Sequence, residues 1–145
     1  MISIEEKQKE IIERFSILDG DFEMTIRYLI ELGGKLPAMK PEDKVDSNLI
    51  PGCLSKVWLT VKIEEGKLFF NADSNTETIK GLISLLIEVL NGRTPDEVIN
   101  SNLFFFSALN LDRYITSQRG GGFGAMIKQM KFYGIAFKVK LETQS

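Results

Sequence analysis

The chain has 145 residues, 43% of them hydrophobic and 26% charged, with a formal net charge of -2. That is ordinary for one globular domain, residues 1–145, built around one core. There is no basic excess of the kind that nucleic-acid binding needs, no apolar run long enough to cross a bilayer, and no signal-peptide core in the charged start Met1-Ile2-Ser3-Ile4-Glu5-Glu6-Lys7. The expectations are therefore no nucleic acid, no membrane and a cytoplasmic location.

In chain order, Ser3 with Glu6 fits a capping box, and Ile4, Ile11, Ile12, Phe15 and Leu18 follow at helical spacing, predicting a first helix that ends near Asp19-Gly20. A second helix is expected from about Asp21 to Leu32, with Phe22, Tyr28, Leu29 and Leu32 on one face and Gly33-Gly34 as its stop. Residues 35 to 48 carry Pro37, Pro41, Asp43 and Asp46 and read as a surface loop. Leu49-Ile50 is a candidate short strand. Val57, Leu59, Val61 and Ile63 alternate with Trp58, Thr60 and Lys62, Glu65-Gly66 is a turn, and Lys67 to Ala72 returns, so a hairpin is predicted.

Asp73-Ser74-Asn75-Thr76 is rich in helix N-cap residues. The helix expected after it buries Ile79, Leu82, Ile83, Leu86 and Leu90 and stops at Asn91-Gly92. Thr94-Pro95-Asp96-Glu97 is a second capping box with proline at the first helical position. A turn of helix is expected from Leu109 to Ile115, then a glycine-rich loop over Gln118–Gly124. A last helix should open near Phe123 and carry Met126, Ile127 and Met130. After Phe132 the pattern fits either period. Tyr133, Ile135, Phe137, Val139 and Leu141 alternate, while Met130, Gly134, Phe137 and Leu141 share a helical face. No internal repeat or low-complexity segment is visible.

The residues that carry chemistry are few. Histidine is absent and Cys53 is the only cysteine. That excludes Cys-His and Ser-His nucleophile pairs, an internal disulfide, and a four-cysteine zinc or cluster site from one chain. It also leaves no resolving partner for a two-cysteine redox cycle, so thiol chemistry here is single-site exchange with another molecule. A lone cysteine is more often a small buried hydrophobe. Here Pro51-Gly52 marks a turn just before it and a strand begins just after it, which places Cys53 at a loop tip.

Arg119 reads blandly as a solvated charge and functionally as a cation near a thiolate; Lys56 is a second such cation. The Gly120–Gly124 run lacks the Lys-Ser/Thr of a P-loop. Glu42, Asp43 and Asp46 read as a solvated face, so no metal is expected there. Phe104-Phe105-Phe106, Trp58 and Phe123 read as core, with Trp58 and Phe106 also available to shelter a thiol.

These residues resemble a known family. Tyr28-Leu29-Ile30-Glu31-Leu32-Gly33, Leu36-Pro37, Asn48, Gly52-Cys53-Leu54-Ser55-Lys56-Val57-Trp58-Leu59, Phe70, Ala72-Asp73-Ser74, Lys80-Gly81-Leu82, Gly92, Thr94-Pro95, Phe106, Leu109, Leu111, Arg119, Gly122 and Ala125-Met126 fall in the order found in the SufE/CsdE sulfur acceptors. The Gly-Cys-x-Ser-x-Val-Trp segment is the specific part. Arg119 matches an arginine of that family, although Gly120 and Gly121 replace some of its usual neighbours.

The resemblance implies an α+β, SufE/IscU-like fold, with a small antiparallel sheet of about three strands packed against several helices and a C-terminal helix. It implies a sulfur acceptor and activator of a pyridoxal-phosphate-dependent cysteine desulfurase, with persulfide sulfur carried on Cys53 to an iron-sulfur scaffold complex. Such a protein needs no cofactor of its own and is not itself an enzyme. An IscU-like cluster scaffold, which with one thiol would need a dimer-bridging cluster, and an interaction module with an inert thiol stay open as alternatives, as does a homodimer. A further expectation is that Cys53 rests inward against apolar side chains and swings out about Pro51-Gly52 on docking.

Overall fold

A computed structural model of the chain describes residues 1–51, 55–111 and 122–144, the side chains of 122, 123 and 144 excepted. The order is α1 (Ile4–Ser16), α2 (Phe22–Gly34), β1 (Val57–Glu64), β2 (Lys67–Ser74), α3 (Glu77–Leu90), α4 (Pro95–Ile99), α5 (Phe105–Ala108) and α6 (Gly122–Gln144). Two 3-10 turns, Pro41–Asp43 and Asp46–Asn48, punctuate the loop between α2 and β1. The fold is α+β, as expected.

The core is organised on α3, where Ile79, Leu82, Ile83, Leu85, Leu86, Val89 and Leu90 are all buried. At about 100° per residue those positions span roughly 160° of the helix circumference, a face too broad for one element to cover. α1, α2 and β2 supply the cover. From α1 come Ile11 and Phe15, with the Phe15 ring 5.0 Å from that of Tyr28 on α2. Ser3 caps α1 by accepting the Glu6 N–H at 3.0 Å; its hydroxyl in turn donates to the Glu6 carboxylate at 3.2 Å. The helix stops at Ser16, a few residues before the expected Asp19-Gly20, which instead form the turn with positive φ at 47° and 73°.

The second helix corrects two expectations. Phe22 is 54% exposed, because it opens the helix and the buried face is Thr25, Leu29 and Gly33. Gly33-Gly34 does not end α2; the helix runs through both and is capped at Lys35. Gly33 serves contact rather than termination. A Cβ there would lie 2.8 Å from the Gly81 nitrogen, and a Cβ on Gly81 would lie 2.0 Å from the Leu29 carbonyl oxygen. The two helices thus meet backbone to backbone.

The hairpin pairs Val57 with Ser74 through Glu64 with Lys67, and Glu65 and Gly66 both have positive φ (51° and 76°), the geometry that matches strand twist in a two-residue turn. Val57, Leu59, Leu68, Phe70 and Ala72 face the core. Among the described residues the sheet has two strands rather than about three. Leu49 makes only an isolated bridge to Trp58. The next residue but one is Pro51, which has no N–H with which to continue a ladder. At the other edge Leu68 bridges Arg93, and the Asn91 side chain accepts the Phe70 N–H at 2.8 Å, so the stop of α3 also finishes the sheet.

α4 carries the full Thr94–Glu97 capping box. α5 is seated by Gln8, a fully buried polar residue on α1 whose side chain accepts the Phe104 and Phe105 N–H groups and donates to the Asn102 carbonyl. The tail after Phe132 is helix throughout, with Gly134 against Ile99, Pro95 and Val98 of α4. No helix among the described residues is long and apolar enough to cross a membrane. The expected turn from Leu109 to Ile115 and the glycine loop lie mostly outside the described residues.

The packing can be tested at two places. Gly81→Ala forces Cβ into the Leu29 carbonyl and should cost roughly 1–3 kcal/mol or more. Gly34→Ala, with nothing within 4 Å, should leave the thermal midpoint unchanged or raised; equal midpoints for both variants would contradict the close helix contact. The second place is Glu88, whose carboxylate takes two hydrogen bonds from Arg14, at 2.6 and 3.1 Å. Burial pushes the Glu88 carboxyl up, but Arg14 and Lys7 outweigh it and hold it below its ordinary 4.5. A depressed carboxylate contributes stability above its unfolded pKa and loses it as pH falls through the folded value. Glu88→Gln should therefore lower the midpoint at pH 7, and the gap from wild type should close as pH falls below 4.5.

Candidate functional site: the loop between Ile50 and Val57

Cys53 lies in a six-residue excursion, 51 to 56, whose two ends are joined. The Ile50 N–H donates to the Val57 carbonyl at 2.9 Å, and Leu49 bridges Trp58. Ile50 and Val57 are both buried in the core, so the mouth of the excursion is fixed by packing as well as by hydrogen bonds. Pro51 is exposed on the outgoing side.

The returning side is held by the corner that links β2 to α3. The Lys56 N–H donates to the Asn75 side-chain oxygen at 3.1 Å, and the Asn75 N–H donates back to the Lys56 carbonyl at 3.2 Å. The hydroxyls of Ser55 and Thr76 hydrogen-bond at 2.8 Å. Asp73-Ser74-Asn75-Thr76, read from sequence as a capping run, is mostly put to this other use. Thr76 is the N-cap residue of α3, yet its side chain caps no backbone N–H. Asp73 and Ser74 belong to the strand.

Asp73 is the charged centre of the corner. Its carboxylate pairs with Lys44 at 2.8 Å and Lys80 at 3.5 Å, and accepts the Ser74 N–H at 2.8 Å. It therefore ties the 35–48 loop, β2 and α3 together. Burial on its own would push the Asp73 carboxyl up; the hydrogen bonds from Lys44 and Ser74, with the charges of Lys80 and Lys44, override this and hold it below the usual carboxylate range. The Lys44 ammonium also sits 5.7 Å from the centroid of the half-buried Trp58 ring, within cation–π range. The result is a base with three lysines around it, Lys44, Lys80 and the exposed Lys56, and one buried carboxylate.

Cys53 itself and Arg119 lie outside the described residues, as do Gly52, Leu54 and residues 112–121. The expected hinge at Gly52 and the inward rest position of Cys53 fall there too. Of the other residues singled out, Phe105 and Phe106 are core, Phe104 and Trp58 are half-buried, and the Phe123 side chain is not described. Glu42 and Asp46 are exposed, and no group of three or more potential metal ligands occurs among the described residues. Asn75 and Thr76 were missed as site residues. Their polar side chains next to a strand end gave a local capping signal, and nothing local says that a segment distant in sequence takes those hydrogen bonds.

The sequence matches a family model described as "SufE: Fe-S metabolism associated domain" over residues 9–133. The chain belongs to the SufE family. It is 36% identical over 130 residues to an uncharacterized SufE-like protein of Synechocystis sp., covering 90% of this chain and 81% of that one. It is 32% identical over 127 residues to an uncharacterized SufE-like protein of Rhizobium meliloti, covering 84% and 90%. In fold it is similar to the solution structure of a hypothetical protein from Thermus thermophilus, with a TM-score of 0.71 over 90% of this chain and 94% of that chain at 23% identity. SufE membership associates the chain with Fe–S metabolism, and the segments that anchor the Cys53 loop lie within the matched residues 9–133.

If Asn75 clasps the returning strand as described, Asn75→Ala removes one hydrogen bond to the Lys56 amide. Hydrogen exchange at that amide should speed up roughly 2- to 13-fold, the range set by about 0.5–1.5 kcal/mol per bond. Amides in the middle of α3 should keep their rates. Unchanged exchange at Lys56 would show that the clasp does not hold in solution.

Proposed function

We propose that this SufE-family protein is a sulfur acceptor for a pyridoxal-phosphate-dependent cysteine desulfurase, with Cys53 as the carrier. The observation that carries the reading is the closed, anchored excursion around the chain's only thiol, in a chain that belongs to a family associated with Fe–S metabolism. A thiol on a short segment pinned at both ends can enter a partner's active site while its base stays rigid.

The step is a thiol exchange. The Cys53 thiolate attacks the outer sulfur of the desulfurase cysteine persulfide. A new S–S bond forms at Cys53 as the partner's S–S bond breaks, and the electron pair leaves on the partner's cysteine as thiolate. The outer sulfur keeps its hydrogen, so Cys53 ends as a persulfide and no oxidant or reductant is consumed. Clearing the partner's cysteine lets it turn over again, which is how an acceptor accelerates a desulfurase without completing a reaction alone. The sulfur then passes to an iron-sulfur scaffold complex in the cytoplasm.

The thiolate needs positive charge nearby, and histidine is absent. Arg119 is the proposed cation at the sulfur. Lys56, three residues from Cys53, stands at the returning end of the loop.

Mass spectrometry after mixing with a cysteine desulfurase and cysteine should show one sulfur atom added to the wild-type chain and none to Cys53→Ser. Arg119→Ala should slow the addition while its far-ultraviolet circular dichroism stays that of wild type. Sulfur transfer through the Ser variant would end the reading, because the chain has no other thiol.

A further inference from the structure

Of the three acids that read from sequence as one solvated face, Glu42 and Asp46 are exposed but Asp43 is half-buried. Asp43 ends the 3-10 turn Pro41–Asp43. Its N–H donates to the Lys40 carbonyl at 2.9 Å, and its own carbonyl accepts the Asn48 side-chain amide at 2.8 Å. The main chain is thus held in place, while the carboxylate has no hydrogen bond or ion pair among the described residues. The next residue, Lys44, is taken by Asp73.

Asp43 borders a cleft of about 530 Å³ between the 35–48 loop, β1 and α6, a size within the range of small-molecule sites. β1 contributes Thr60 and Val61. α6 contributes Tyr133, Ala136, Phe137 and Lys140, whose spacing sets them on one helical face. Three features say what the cleft fits. Its charge is mixed: Asp43 and Lys140 line the same space, yet neither has an ion pair, with the other or with any described residue. One wall is apolar, with Val61, Tyr133 and Phe137 all packed against the core. The Lys140 ammonium stands 5.9 Å from the Phe137 ring centroid, so the cation adjoins that wall. The hydroxyls of Thr60 and Tyr133 make no hydrogen bond among the described residues, and each can donate one.

Two opposite charges held apart in one cleft suit a ligand that carries both. A simple cation would answer Asp43 and be repelled by Lys140; a simple anion would meet the reverse. We propose that the cleft binds a free amino acid with an aromatic side chain. Its ammonium pairs with Asp43. Its carboxylate pairs with Lys140 and takes a hydrogen bond from the Tyr133 or Thr60 hydroxyl. Its ring lies against Phe137 and Val61, in an aromatic contact of the kind that protein cores use. No residue of the 51–56 excursion lines the cleft, so the site stands independently of the sulfur-acceptor reading.

Titration of the full chain with L-phenylalanine, followed by amide chemical shifts, tests it. The shifts should saturate with a dissociation constant of about 1 mM or below and centre on Asp43, Thr60 and Phe137. Phenethylamine, which lacks the carboxylate, and 3-phenylpropionate, which lacks the ammonium, should each bind roughly tenfold more weakly or worse, the loss expected for a hydrogen bond to a charged group. Two variants then separate the charges. Asp43→Asn should weaken L-phenylalanine and phenethylamine and leave 3-phenylpropionate unchanged. Lys140→Gln should weaken L-phenylalanine and 3-phenylpropionate and leave phenethylamine unchanged. L-Phenylalanine that gives no saturating shift up to about 10 mM would overturn the proposal, as would saturating shifts centred on other residues. Equal losses for all three ligands in both variants would overturn it too, because the charges would then have no separate roles.

Discussion

The burial of the broad apolar face of α3 is the constraint from which the rest of the molecule follows. A helix with seven buried apolar residues spread over roughly 160° cannot give that face to water or cover it with a single neighbour. It has to be enclosed by α1, α2 and the hairpin, and the enclosure is tight enough that α2 touches it through glycine backbone. The close approach requires two glycines, one on each helix. Gly33 is therefore a contact residue, although its neighbour Gly34 makes the pair look like a stop.

The site inherits its rigidity from the same element. The corner 73–76 runs directly into the first turn of α3, so the hydrogen bonds of Asn75 and Thr76 tie the returning end of the Cys53 excursion to the helix on which the core is organised. The outgoing end is tied through Ile50 to the hairpin that lies on that helix. Asp73 fastens the preceding loop to the same place through Lys44. Two joined ends fix where a short excursion begins and returns. Such an architecture suits a carrier group that has to be presented to another protein.

α6 stands apart from this arrangement. Its inner face is taken up by α4 and the core, and its outer face repeats an apolar pattern with no covering element among the described residues.

Much of this could be read from residues alone. The hairpin was legible because Val57–Ile63 alternates and Glu65-Gly66 suits a tight turn, both local properties. The α4 capping box and the stop at Asn91-Gly92 were legible for the same reason. Absence of histidine and the single Cys53 determined, without any structure, that any thiol chemistry within one chain is limited to exchange at one sulfur. Tertiary structure alone decided that Phe22 faces outward, that Gly33 continues a helix, that Leu49 makes one bridge instead of a strand, and that Gln8 is buried to seat α5. It also decided that Asn75 and Thr76 hold the Cys53 loop and that α6 keeps an uncovered face. The division has one physical cause. Backbone propensity, caps and turns depend on residues a few positions apart. The partner of a buried side chain, a glycine or a polar corner is set by which distant segment packing brings beside it.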